Sequence, residues 1–112
     1  MTAPNEFVVT TESAGEDALV VRVSGDLDLA TSPRFSEALA AAAATRHVVI
    51  DLTGCTFLDS SGVRALAQAA RKIPEGERRV DVVAGSPGVR RVLEITGVDR
   101  MVPVHRSLED AL

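Results

Sequence analysis

Apolar residues along the chain fall into short runs whose spacing alternates between two and three-to-four. Glu6 to Thr11 and Leu19 to Ser24 read as strands, the second setting Leu19, Val21 and Val23 against Val20, Arg22 and Ser24. Ser13-Ala14-Gly15-Glu16-Asp17 supplies a turn between them, which predicts an antiparallel hairpin. Gly25-Asp26-Leu27-Asp28-Leu29 then leaves the second strand, and Thr31-Ser32-Pro33 opens a helix with a cap residue followed by proline at the first helical position. Phe35, Leu39, Ala42 and Ala43 mark its inner face. The alanine run 40–44 needs no functional account, because alanine is the best helix former and lets helix and sheet approach closely.

Arg46 to Leu52 is apolar over Val48-Val49-Ile50 without alternation, as expected of a central strand covered on both faces. The next helix buries Val63, Leu66, Ala67 and Ala70 at spacings of three and four and stops near Ile73-Pro74, with a turn over Pro74 to Glu77. Val80 to Ala84 is a short apolar strand. Gly85-Ser86-Pro87 repeats the cap-then-proline device before a helix carrying Val89, Val92 and Leu93, which Gly97 stops. Met101 to Val104 reads as an edge strand, since Pro103 would remove a ladder donor from a central one, and Ser107 caps a last short helix. The fold class is therefore α/β: a mixed four- to five-stranded sheet that opens with the hairpin, about four helices, and later strands parallel.

Length and composition fit one domain, since 112 residues with 46% hydrophobic content hold a single core. Residues 1 to 6 are expected as a loose tail. No run approaches the roughly eighteen apolar residues of a membrane span, and Met1 to Glu6 lacks the order of a signal peptide, so a cytoplasmic protein is expected without membrane insertion. The net charge of −4 argues against direct nucleic-acid binding, and three phenylalanines without Trp or Tyr offer no stacking platform. The pairs Arg71-Lys72, Arg78-Arg79 and Arg90-Arg91 read as solvated ends of elements. The single cysteine, Cys55, excludes an internal disulfide and reads as a small buried hydrophobe.

In parallel sheets, function sits on the loops at the carboxyl ends of strands. Those loops are Gly25 to Ala30, Thr53 to Ser60 and Gly85 to Pro87, and they bring Asp26, Asp28, Asp51 and Asp59 toward one edge of the sheet. Among them stands Cys55-Thr56-Phe57-Leu58-Asp59-Ser60-Ser61-Gly62-Val63, in which two serines meet the start of a helix. The free N–H groups and the dipole of that first turn would cradle a phosphate ester on a serine. Taken alone, the stretch also reads as a plain N-cap at Asp59 or Ser60.

Catalysis finds little support. A nucleophilic serine needs a base, and the histidines are His47 and His105. His47 opens the strand whose far end leads to Ser60, which puts them roughly 16 Å apart or more; His105 follows the edge strand, and the sequence does not place it relative to Ser60. Neither serine stands in a Gly-x-Ser-x-Gly elbow. Clustered aspartates could hold magnesium, as in receiver domains, but such domains also use a lysine late in the sheet, whereas Lys72 ends a helix; turn and cap roles are the alternative. Gly85-Ser86-Pro87-Gly88 lacks the lysine and spacing of a P-loop. No metal, cofactor or enzymatic activity is expected.

The order Val23-Ser24-Gly25-Asp26-Leu27-Asp28, Val49-Ile50-Asp51-Leu52, Phe57-Leu58-Asp59-Ser60-Ser61-Gly62 and Pro87-Gly88-Val89 to Val92-Leu93-Glu94-Ile95-Thr96-Gly97 resembles the STAS domain of bacterial anti-sigma factor antagonists. The resemblance spans nearly the whole chain and implies one STAS domain over residues 1–112. It implies a partner-switching regulator: the unphosphorylated antagonist binds an anti-sigma factor serine kinase and releases the sigma factor. Phosphorylation of the first serine of Asp-Ser-Ser-Gly, here Ser60, ends the binding, and a PP2C-type phosphatase reverses it. Asp26, Asp28, Asp59, Ser60, Ser61 and Gly62 are then the expected partner-binding residues. Gly62 would leave room for the partner's backbone, and Asp26 and Asp28 would form a docking rim, with turn roles as the alternative. The same resemblance allows a second reading, an accessory STAS subunit that binds the ATPase of a lipid-transport ABC system.

Overall fold

The computed structural model describes residues 6–42, 45–74 and 76–112. The expected tail before Glu6, the inward role of Ala43 and the Glu75 position of the turn lie outside those residues. Strands β1 (Val8–Ser13), β2 (Ala18–Leu27), β3 (His47–Leu58), β4 (Arg79–Val83) and β5 (Val104–His105) form one sheet in sequence order. β1 is antiparallel to β2, and β2 to β5 run parallel. Between them lie helices α1 (Ser32–Ala41), α2 (Ser60–Lys72) and α3 (Pro87–Thr96), a short 3-10 turn (Val98–Arg100) and a last helix α4 (Leu108–Ala111). The mixed α/β architecture with its opening hairpin is the one the sequence predicts.

Alternation along the strands divides the two faces. Val21, Val23, Val48, Ile50, Leu52, Val80 and Val82 turn toward α1, α2 and α3 and join Phe35, Leu66 and Leu93 in the main core. Val20, Val49 and Val83 turn the other way, where Ala111 and Leu108 of α4 cover them. β3 lies between these layers, which explains its unbroken apolar run.

Several boundaries differ from the sequence reading. β1 starts two residues later than Glu6 because Phe7 is drawn into the core, where Arg34 donates to its carbonyl at 2.8 Å. In α2 the buried stripe is Ala65, Leu66, Ala69 and Ala70, with Ile73 just beyond the helix end, and Ala67 sits at its margin. Met101 and Pro103 precede β5 instead of opening it: Pro103 has no N–H, and it is its carbonyl that accepts from Val82 at 2.9 Å.

The largest difference concerns the two segments read as loops. β2 runs on to Leu27 and β3 to Leu58, paired through Gly25 with Cys55, Asp26 with Phe57 and Leu27 with Leu58. Register shifts fall between Arg22 and Ser24 and between Gly25 and Asp26. Each inserts one extra residue in β3, so its inward positions run Val48, Ile50, Leu52, Cys55, Leu58, breaking the period of two that marks a strand.

Candidate functional site

The carboxyl end of β3 delivers the serines onto α2 within one residue. Asp59 has extended backbone and is the N-cap: its Oδ1 accepts from the N–H of Ser61 at 2.8 Å and of Gly62 at 3.0 Å. Its own N–H donates to the Leu27 carbonyl at 3.3 Å, tying the cap to β2. The free N–H groups expected to cradle a phosphate are thus largely filled by the Asp59 carboxylate. Ser60, the first residue of α2, is exposed; Ser61 is half-buried and lines a hollow of about 130 Å³ with Leu29, Ser32 and Arg64.

Gly62 is buried, which corrects its expected role. A Cβ there would lie 2.5 Å from the Leu27 carbonyl oxygen and 2.6 Å from Leu58 Cδ1. The missing side chain lets the first turn of α2 close against the ends of β2 and β3, so the room at Gly62 is filled by this chain and not by a partner.

The four aspartates do not share one place. Asp28 Oδ1 accepts from the N–H groups of Ala30 and Thr31 at 3.0 and 3.2 Å, an Asx turn that leads into α1. Thr31 Oγ1 accepts from the Asp28 N–H and donates to the Asp26 carbonyl, so it braces this loop instead of capping α1 by its side chain. Asp26 Oδ1 accepts from Thr56 Oγ1 at 2.8 Å, across the bulge. Asp51 points to the opposite face, where it takes the N–H and hydroxyl of Thr53 and lies 3.5 Å from Arg22. Among the described residues no cluster of His, Cys, Asp and Glu has the arrangement of a metal site.

Both histidines are accounted for away from the serines. His47 and His105 hydrogen-bond the two oxygens of Asp81, at 2.7 and 2.8 Å, and Arg79 Nε donates to the same carboxylate at 3.1 Å. This cluster joins β3, β4 and β5 on the face away from α1 and α2, and it leaves Ser60 without a histidine base. Asp81 is only 3% exposed. Burial pushes its carboxyl pKa up, but the hydrogen bonds from His105, His47 and Arg79 outweigh it and hold the group below its ordinary value. Cys55 is buried, and its burial pushes the thiol pKa up, as suits a core residue.

Three side chains near the serines were not singled out by the sequence. Leu29 is 75% exposed and Phe57 54% exposed, two of the large apolar groups that reach the surface. Phe57 faces outward because the bulge resets the phase of β3 just before it. Arg64 is exposed on the second turn of α2 and makes no ion pair among the described residues. The available signals were Leu29 following the Gly-Asp-Leu-Asp loop and Arg64 standing four residues after Ser60.

A mixed sheet with helices on both faces and an Asp59-capped strand-to-helix junction that carries two serines define a domain of the α/β class. Residues 9–111 match the STAS domain family model, and the chain belongs to that family. It is 32% identical to the anti-sigma-F factor antagonist RsfB of Mycobacterium tuberculosis, over 100% of this chain and 92% of that protein. The crystal structure of an anti-sigma factor antagonist from Mycobacterium paratuberculosis superposes with a TM-score of 0.89 at 34% identity, covering 99% of this chain and 95% of that one. The unphosphorylated form of the anti-sigma factor antagonist SpoIIAA shares the fold, with a TM-score of 0.77 at 22% identity over 93% and 92% of the two chains. Among the described residues no helix is long and apolar enough to cross a membrane.

Proposed function

We propose that this protein is an anti-sigma factor antagonist that works by partner switching. In its unphosphorylated form it binds an anti-sigma factor serine kinase and frees the sigma factor. Phosphorylation of Ser60 ends that binding, and a PP2C-type phosphatase restores it. The observation that carries this reading is the placement of Ser60, exposed at the first position of α2 and beside a cap that fixes the turn, with Leu29 and Phe57 exposed near it. Ser61, half-buried in its hollow, is the less accessible acceptor.

In the transfer, Ser60 Oγ attacks the γ-phosphorus of ATP held by the kinase. The new O–P bond forms as the bond to ADP breaks, and the hydroxyl proton passes to a base of the kinase. This chain supplies the acceptor, the rigid turn and the docking surface. The phosphate brings about −1.5 to −2 units of charge. At an interface built around Leu29 and Phe57, and close to Asp59, that charge faces desolvation and like-charge repulsion. Changing from mostly bound to mostly free needs a differential of about 5.5 kcal/mol.

The test is capture from native lysate by the unmodified protein and by a homogeneously Ser60-phosphorylated sample, with retained proteins identified by mass. Retention of an ATP-binding serine kinase by the first and its release by the second is the expected result. Equal retention of a transporter ATPase by both would replace this reading with the lipid-transport one.

A further inference from the structure

Arg64 stands one helical turn beyond Ser60. Side chains four apart on a helix are neighbours, and a helical side chain leans back toward the N-terminus, so the spacing puts the Arg64 guanidinium within reach of the first turn of α2; Arg64 lines one hollow with Ser61 of that turn. The carboxylates of the adjoining β2–α1 loop and of the α2 cap already have donors of their own: Asp26 that of Thr56, Asp28 those of Ala30 and Thr31, Asp59 those of Ser61 and Gly62. The hollow that Arg64 lines contains no carboxylate. A phosphate on Ser60 would find the first-turn N–H groups of Ser61 and Gly62 engaged by Asp59, whose negative charge it must also tolerate.

We propose that Arg64 is the internal counter-ion of the Ser60 phosphate, a positioning residue that pairs with the phosphate and offsets its repulsion from Asp59. This rests on, and deepens, the reading of Ser60 as the phosphoacceptor. An anion at position i with a cation at i+4 is the favourable order on a helix. In the unmodified protein Arg64 is free to meet a carboxylate of the partner; in the modified protein it is occupied. Phosphorylation thus alters the docking surface twice, adding negative charge and withdrawing a positive one.

The experiment places phosphoserine at position 60 by genetic code expansion, without a kinase, and follows the phosphorus-31 shift of the intact protein through its second ionisation. The Arg64→Gln protein is expected to titrate about 0.2–0.4 pH unit higher than the parent. Arg64→Lys should recover most of the difference, Lys72→Gln should leave the titration unchanged, and added salt should narrow the gap. Coincident titrations of the parent and Arg64→Gln, with matching circular dichroism, would overturn the proposal. Because the phosphate is installed during synthesis, the result stands apart from the kinase. A kinase that ignores Ser60 would defeat the functional reading and leave the pairing as measured.

Discussion

Asp81 shows how a buried charge is held at the scale of one residue. Three donors from three strands surround its carboxylate, so Asp81→Asn must leave at least one of His47, His105 and Arg79 with a poor partner. A loss of about 1.5–3 kcal/mol is expected at pH 7, read from urea unfolding. The sign of its pH dependence follows from the depressed pKa. The Asp81 contribution is fully present above the carboxyl pKa of the unfolded chain, about 3.9, and is lost as pH falls through the lower folded value. The melting temperatures of wild type and Asp81→Asn should therefore converge on acidification, and a gap that stays constant down to about pH 3 would refute the assignment. Gly62 is the second case. Gly62→Ala drives a methyl into the Leu27 carbonyl and Leu58, and a destabilisation of about 1–3 kcal/mol is expected from the same unfolding assay. A neutral result would mean that α2 can shift away from the sheet without cost.

At the scale of elements, the junction between β3 and α2 depends on Asp59. Asp59→Ala removes two cap hydrogen bonds and should cost about 1 kcal/mol, with faster amide exchange at Ser61 and Gly62 and no change in the middle of α2. Uniform acceleration along α2 would show that the cap governs the whole helix. This junction also marks where the sequence stopped being legible. The helices, the hairpin and the central strand follow from regular periods and from cap and proline signals at Thr31-Ser32-Pro33 and Ser86-Pro87. β3 beyond Leu52 does not, because two bulges move its inward positions from spacings of two to spacings of three. Such a pattern resembles a loop, which is how Thr53 to Ser60 reads in the sequence. The same phase change hid the outward turn of Phe57. The Asp-Ser-Ser-Gly stretch was legible as a capped serine, but the purpose of Gly62 depends on the Leu27 carbonyl, thirty-five positions earlier, which no local pattern encodes.

For the whole molecule, the question is how one added phosphate could alter binding without altering the fold. Ser60 is exposed and is not one of the core residues, so phosphorylation removes no core packing. Within the free domain the opposing terms are small: repulsion from Asp59 on one side, the helix dipole and Arg64 on the other, each within about 1 kcal/mol at an exposed site. At the proposed interface the same charge would be desolvated beside the exposed Leu29 and Phe57, and the terms would no longer cancel. The unfolding free energies of the unmodified and Ser60-phosphorylated proteins are therefore expected to agree within about 1 kcal/mol. Affinity for the proposed kinase partner, measured by calorimetry on the same samples, should fall by about 10⁴-fold. A large loss of stability on phosphorylation would instead make the switch a local unfolding of α2, and amide exchange across Ser60–Lys72 would then rise together with the loss of binding.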